Sequence, residues 1–240
     1  MQHAVTTRYG SDGCHRIRCP TGLAKNTADA DDSTLNRGEE SENTLTAMVR
    51  TCRGFDVQAW LTVHLPTRRA TTLLGRWLAQ GVHAGDLILL SGDLGAGKTF
   101  TARAMARSMG VPPDVRVTSP TFTVVHEFDT TPRLIHADLY RMGDGSEVDQ
   151  LLLREARSDG AVLLVEWGEP YLHELGGDAL FVGLALTECG RVATLGSTGP
   201  RSSSWSHQPL PSKLLARAIT DQPIDTQPLD GIAGHMAGRD

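Results

Sequence analysis

The sequence predicts an α/β domain built on a central, mostly parallel sheet flanked by helices, with a disordered tail at each end. Three observations predict it. The apolar run Asp86-Leu-Ile-Leu-Leu90 has the length and composition of a buried strand. The turn that follows, Ser91-Gly-Asp-Leu-Gly-Ala-Gly-Lys-Thr99, is rich in glycine and leads straight into a helical stretch, Thr99–Met109. Further strand-like runs then recur with helices or turns between them, the alternation of a layered α/β domain.

Taken in order, Trp60-Leu-Thr-Val-His-Leu65 suits a short strand. Thr67 is placed to cap a helix whose Leu73, Leu74, Trp77 and Leu78 share one face and which ends near Gly81. Asp86–Leu90 and the glycine-rich turn come next. Gly110 stands where a helix commonly closes in a left-handed residue, and Pro112-Pro113 cannot continue it. Thr121–Phe128 alternates like a strand, Leu134–Ala137 forms another, and Ala161–Val165 is apolar throughout, as a strand covered on both faces is. Asp178–Leu186 and Arg191–Leu195 read as a terminal hairpin around Glu188-Cys189-Gly190.

Composition bounds the domain at 57–196. Residues 1–56 are rich in Thr, Asp, Glu, Asn and Arg without a sustained apolar period. Their acidic runs Asp29-Ala-Asp-Asp-Ser33 and Glu39-Glu-Ser-Glu42 read as a solvated, disordered extension. Residues 197–240 open on Ser-Thr-Gly-Pro-Arg-Ser-Ser-Ser and read as a low-complexity tail, with at most one short helix near Leu214–Ile219.

A formal net charge of −5 over 240 residues gives no general reason to expect nucleic-acid binding, although it leaves room for a local basic patch. No apolar run approaches the ~18 residues that span a membrane, so none is expected to cross one. The first twenty residues hold no apolar core of a signal peptide, and the protein is read as cytoplasmic. The spacing of Cys14, Cys19, Cys52 and Cys189 matches no dependable zinc pattern.

Gly92, four residues, then Gly97-Lys98-Thr99 satisfy the phosphate-loop pattern. Gly92, Gly95 and Gly97 permit the dihedrals that turn successive N–H groups around an anion, and the following helix adds the partial positive charge of its N-terminus. Lys98 is expected to reach the β- and γ-phosphates and the Thr99 hydroxyl to ligate Mg²⁺. The chain has three lysines, Lys25, Lys98 and Lys213, so twenty of its 23 basic Lys and Arg residues are arginine. Retention of lysine at 98 fits a place where a compact ammonium cannot be exchanged for a guanidinium.

No lysine after Lys98 in the expected domain supplies a guanine reader, which argues against a GTPase, and the LSGGQ signature of a transporter ATPase is absent. A small-molecule kinase stays open on these grounds. His136-Ala-Asp138-Leu-Tyr140-Arg141 and Glu166-Trp167 each follow an apolar strand, which places Asp138 and Glu166 at carboxyl ends, where ligands of open α/β sheets bind. One acid would hold Mg²⁺ directly or through water and the other polarise the attacking water. The alternatives are a helix N-cap for Asp138 and a surface carboxylate for Glu166; His136 and Trp167 read more readily as core packing.

The ordered set GDLGAGKT (92–99), SPTFTVVHEF (119–128), HADLYRM (136–142) and VEWGE (165–169) closely resembles the bacterial TsaE family, the ATPases of tRNA threonylcarbamoyladenosine biosynthesis. The segment Leu65–Gly92 is similar to its first strand and helix, and the resemblance covers about 61–196 and neither tail. It implies a small phosphate-loop NTPase-like domain that binds ATP and Mg²⁺, hydrolyses ATP weakly alone, and docks on the TsaD–TsaB transferase pair to reset it, meeting tRNA only through that pair. By motif, Gly95, Ala96, Gly97, Lys98, Thr99 and Phe100 wrap the phosphates, Thr99 and Glu166 hold Mg²⁺, and Asp138 is the essential acid. Ser119–Thr123 is a switch-like loop, with Thr121 either its contact to the γ-phosphate or part of a plain turn. Phe100 departs from the pattern, standing where the family often has Thr or Ser. Arg68, Arg69 and Arg76, with Arg103 and Arg107 one helical turn apart, form either a solvated basic face or a docking surface for an acidic partner or for tRNA held by it.

Overall fold

The computed structural model describes residues 57–219. The expected extension 1–56 lies outside them, as does 220–240. Eight strands form one sheet in the order β3-β4-β5-β2-β6-β7-β1-β8. They are β1 Gln58–Leu65, β2 Leu87–Ser91, β3 Val125–Phe128, β4 Leu134–Asp138, β5 Val162–Glu166, β6 Leu180–Thr187, β7 Gly190–Ser197 and β8 Ala218–Ile219. The four central strands β4, β5, β2 and β6 run parallel, while β3 on one side and β7, β1 and β8 on the other are each joined to their neighbour by antiparallel pairing.

The apolar runs become central strands because both of their faces are covered. In β2, Ile88 and Leu90 point to one side and Leu87 and Leu89 to the other; β5 divides in the same way, Val162 and Leu164 against Leu163 and Val165. The first side is covered by α1 (Arg68–Gly81) and α2 (Lys98–Ser108), through Ala70, Leu74, Trp77, Leu78, Ala102 and Met105. The second packs under α3 (Gly145–Asp149) and α4 (Leu153–Ser158), through Val148 and Leu153. Thr67 caps α1 as its sequence predicts, its hydroxyl accepting from the Ala70 N–H at 3.2 Å. The two long helices approach closely at Gly75, where a Cβ would stand 2.6 Å from that of Ala104.

Two expectations are corrected. The strand expected over Thr121–Phe128 begins only at Val125, because Val124 takes a φ of 64° and the residues before it turn toward Asp138. The domain does not stop at 196. Residues 200–219 form two short helices, α5 (Pro200–Ser203) and α6 (Ser212–Leu215), and β8, which pairs with β1 at Thr62 and Val63. Aromatic packing and polar contacts hold them: the Trp205 ring lies edge-on to Trp77 at 5.6 Å, Trp77 to Trp60 at 6.3 Å, the Trp77 indole N–H donates to the Pro209 carbonyl at 3.0 Å, and Arg201 pairs with Asp86 at 3.0 Å. Among the described residues no helix is long and apolar enough to cross a membrane.

Candidate functional site

The parallel register sets the site. Asp138 stands opposite Glu166, and Glu166 opposite Leu90, so the last residues of β4 and β5 flank the start of the glycine-rich turn. A cavity of about 580 Å³ opens there, lined by Gly95, Gly97, Lys98, Thr99 and Phe100, by Ser119, Thr121, Asp138 and Glu166, and by Tyr140 and Trp167.

The turn has the conformation its glycines permit: φ is 127° at Gly92, 83° at Gly95 and 112° at Gly97. Gly92 has a second constraint, since a Cβ there would meet the Leu184 carbonyl oxygen at 2.1 Å. Gly97 is the N-cap of α2 and supplies no side-chain acceptor. The first N–H groups of this helix are therefore left to an external anion. Lys98 curls back over the turn, donating from Nζ to the carbonyl oxygens of Gly92 at 2.6 Å and Asp93 at 3.0 Å, with the ammonium 4.0 Å from the centre of the Trp167 ring. Burial pushes its pKa below the ordinary lysine value, against the opposing pull of Glu166, Glu169, Asp138 and Asp93.

Glu166 is buried with both oxygens occupied. Its Oε2 accepts from the Thr99 hydroxyl at 3.0 Å and its Oε1 from His136 Nε2 at 3.0 Å. Thus His136 belongs behind the site, fixing the orientation of an acid in it. Asp138 Oδ1 accepts from the Tyr140 N–H at 3.1 Å, closing a turn at the end of β4 and not capping a helix, since the next helix starts only at Gly145. Its Oδ2 accepts from the hydroxyl of Ser119 and, at 3.3 Å, that of Thr121. One carboxylate therefore closes its own turn and holds the 119–121 loop against the cavity.

Trp167 does more than pack. Its φ of 61° turns the chain sharply after Glu166, and the ring lies 5.1 Å from Tyr140 and over Lys98. Gly92 and Ala96 are not in the cavity wall. Gly92 shapes the turn and receives Lys98, while Ala96 is buried and its carbonyl accepts from Arg191 Nε at 2.7 Å. Arg191 lines the cavity with Arg68 and Arg103, and sequence reasoning missed it there. No motif marks a basic residue at the start of a hairpin's second strand; only the pairing of β2 with β6 and of β6 with β7 carries it beside the turn.

These residues fit a nucleoside triphosphate with Mg²⁺. The uncapped helix and Lys98 suit phosphate oxygens. The Thr99 hydroxyl and one Glu166 oxygen offer a sparse, all-oxygen donor set, of the kind Mg²⁺ completes with phosphate and water.

The chain is similar to proteins of one known family. The family model described as threonylcarbamoyl adenosine biosynthesis protein TsaE matches residues 65–188. A Streptomyces coelicolor protein named tRNA threonylcarbamoyladenosine biosynthesis protein TsaE is 46% identical over 111 residues, covering 45% of this chain and 73% of its own. The Mycobacterium tuberculosis protein of the same name is 36% identical over 155 residues, 60% of this chain and 86% of its own. A crystal structure of Bacillus subtilis YdiB superposes with a TM-score of 0.50 at 25% identity, covering 63% of this chain and 93% of that one. The phosphate loop, the two strand-end acids and the hydroxyl loop between them all fall inside the matched span, and the chain belongs to the TsaE family of threonylcarbamoyladenosine biosynthesis proteins.

Proposed function

We propose that the chain is a Mg²⁺-dependent ATPase of the cytoplasm that drives the cycle of the TsaD–TsaB transferase pair in tRNA threonylcarbamoyladenosine formation. The observation that carries this reading is the convergence of Lys98, the Thr99–Glu166 pair and Asp138 on one cavity at the ends of adjacent strands. On binding ATP, Lys98 exchanges the carbonyl oxygens of Gly92 and Asp93 for phosphate oxygens, which the backbone N–H groups of Gly95 to Phe100 also receive. Thr99 and Glu166 hold Mg²⁺, and the bound cation supplies neutralisation of the phosphate charge. Asp138 orients or deprotonates the attacking water, and Ser119 and Thr121, now hydrogen-bonded to it, respond to the γ-phosphate.

The rim of the cavity favours a protein partner. Leu94 and Tyr140 line the cavity and are exposed, Leu94 for 88% of its surface, and Phe122, next in the chain to the cavity-lining Thr121, is exposed for 86%, apolar groups that a docked protein would cover. Release of ADP, measured alone and with the TsaD–TsaB pair, is expected to be slow alone and accelerated by the pair. Multi-turnover tRNA modification that runs equally well without the chain overturns the proposal. Hydrolysis that instead requires a small metabolite and yields its phosphate ester would identify a kinase.

A further inference from the structure

A second cavity, of about 600 Å³, lies between α1 and α2 beside the candidate nucleotide site. Thr72, Arg76 and Gln80 line it from α1, spaced as one stripe of that helix, and Phe100, Arg103 and Arg107 line it from α2. No carboxylate lines it. Among the described residues none of its arginines makes an ion pair; the arginines that do are Arg133 and Arg201, elsewhere. Arg103 is anchored by donating its Nε–H to the Val117 carbonyl at 2.7 Å, while Arg107 spends both terminal nitrogens on the carbonyls of Val111 at 3.1 Å, Pro112, Pro113 at 3.3 Å and Val115 at 2.5 Å and so brings its charge but no free fork. These acceptors are neutral, so the guanidinium charges at the groove stay uncompensated. A chain of net charge −5 thus concentrates positive charge along one pair of helices.

We propose that this groove binds a single strand of RNA through its phosphodiester backbone. The guanidinium forks of Arg76 and Arg103 match phosphate oxygens in pairs, and Gln80 adds a neutral donor suited to phosphate and ribose, whereas the Thr72 hydroxyl is held by the Arg68 carbonyl at 2.9 Å. Phe100 separates this occupant from an acidic protein surface. Half-buried where the groove meets the nucleotide cavity, it places an aromatic ring in a basic wall, the combination with which grooves for unpaired nucleic acid stack bases and track a backbone. The proposal needs no ATP hydrolysis and stands whether or not the nucleotide reading does.

The test is fluorescence anisotropy of a short fluorescein-labelled single-stranded RNA of mixed sequence, titrated with the full chain across a salt series. Saturable binding that weakens with salt is expected. Arg76→Glu, at an exposed position outside the nucleotide cavity, should weaken it at least tenfold and lower the slope of log affinity against log salt by about one or more, leaving ATP hydrolysis unchanged. Gln80→Glu, also exposed, should weaken it in the same direction and guards against a folding defect in the first variant. No saturable binding at low salt, or binding by both variants as tight as the parent's, overturns the proposal. Competition by polyglutamate as effective as that by unlabelled RNA also overturns it, and assigns the groove to an acidic protein.

Discussion

At Lys98 two requirements oppose each other: the ammonium must be charged to meet phosphate, yet it is buried with only neutral carbonyls and an aromatic face as direct neighbours. Folding therefore lowers its pKa. The sign follows from linkage. Below the folded-state pKa the ammonium is charged in both states and the full penalty of burying it applies; above the ordinary lysine value of 10.5 it is neutral in both and the penalty is gone. Lys98→Met should abolish hydrolysis yet melt at the same temperature as the parent or higher at neutral pH, with that advantage shrinking as pH rises toward 10.5. Thermal melts of both proteins across that range check it, and a variant that melts well below the parent at neutral pH would show that Lys98 stabilises the empty fold. His136 offers a second test. It donates to Glu166 Oε1 without lining the cavity, so His136→Ala should weaken Mg²⁺ activation of hydrolysis by roughly 10–100-fold, the usual cost of removing a group that orients a metal ligand. His136→Gln should recover part of it, and an unchanged Mg²⁺ requirement in His136→Ala would leave the histidine a packing residue.

Among the elements, the central strands and long helices were legible because each carries its own periodicity: two apolar faces in β2 and β5, one apolar stripe in α1, and a terminating Gly110 after α2 with φ of 104°. The segment after 196 was not legible, because its order comes from tertiary contact. A serine-rich stretch with one tryptophan has no period, and only its tertiary contacts show why it stays down: the edge-on stack of Trp205 on Trp77, the pairing of β8 with β1 and the Arg201–Asp86 ion pair at 3.0 Å. Trp205→Ala should accordingly cost about 3–5 kcal/mol, as loss of a buried aromatic does, read by urea denaturation; a change under about 1 kcal/mol would mean the segment contributes little to the fold. The α1–α2 crossing gives a sharper case. By helix propensity alone Gly75→Ala gains about 1 kcal/mol, but the new Cβ meets that of Ala104 at 2.6 Å, and overpacking costs about 1–3 kcal/mol. The steric term is the larger, so the variant should be less stable than the parent.

Over the whole molecule, the site divides by how its parts are encoded. The phosphate turn is local, and a nine-residue stretch, 91–99, carries it entire. Asp138 and Glu166 were placed at strand ends by sequence, but that they stand side by side follows from the parallel register of β4, β5 and β2, and the hydrogen bonds of Asp138 to Ser119 and Thr121 from a loop conformation that alternation misread as strand. Arg191 depends on antiparallel pairing at the far side of the sheet and left no signal at all. A single binding event joins these parts, so its linkage to global stability reports whether they act together. Free MgATP at a hundred times its Kd should stabilise the folded chain by about 2.7 kcal/mol, a rise in Tm of several degrees for a domain of this size. ATP without Mg²⁺ should give a smaller rise, since the Thr99–Glu166 pair then contributes nothing. Glu166→Gln separates the two halves: it should keep the rise with ATP alone, carried by the turn and Lys98, and lose the increment that Mg²⁺ adds. Equal rises with and without Mg²⁺ in the parent would take the cation away from Thr99 and Glu166 while leaving the phosphate turn in place.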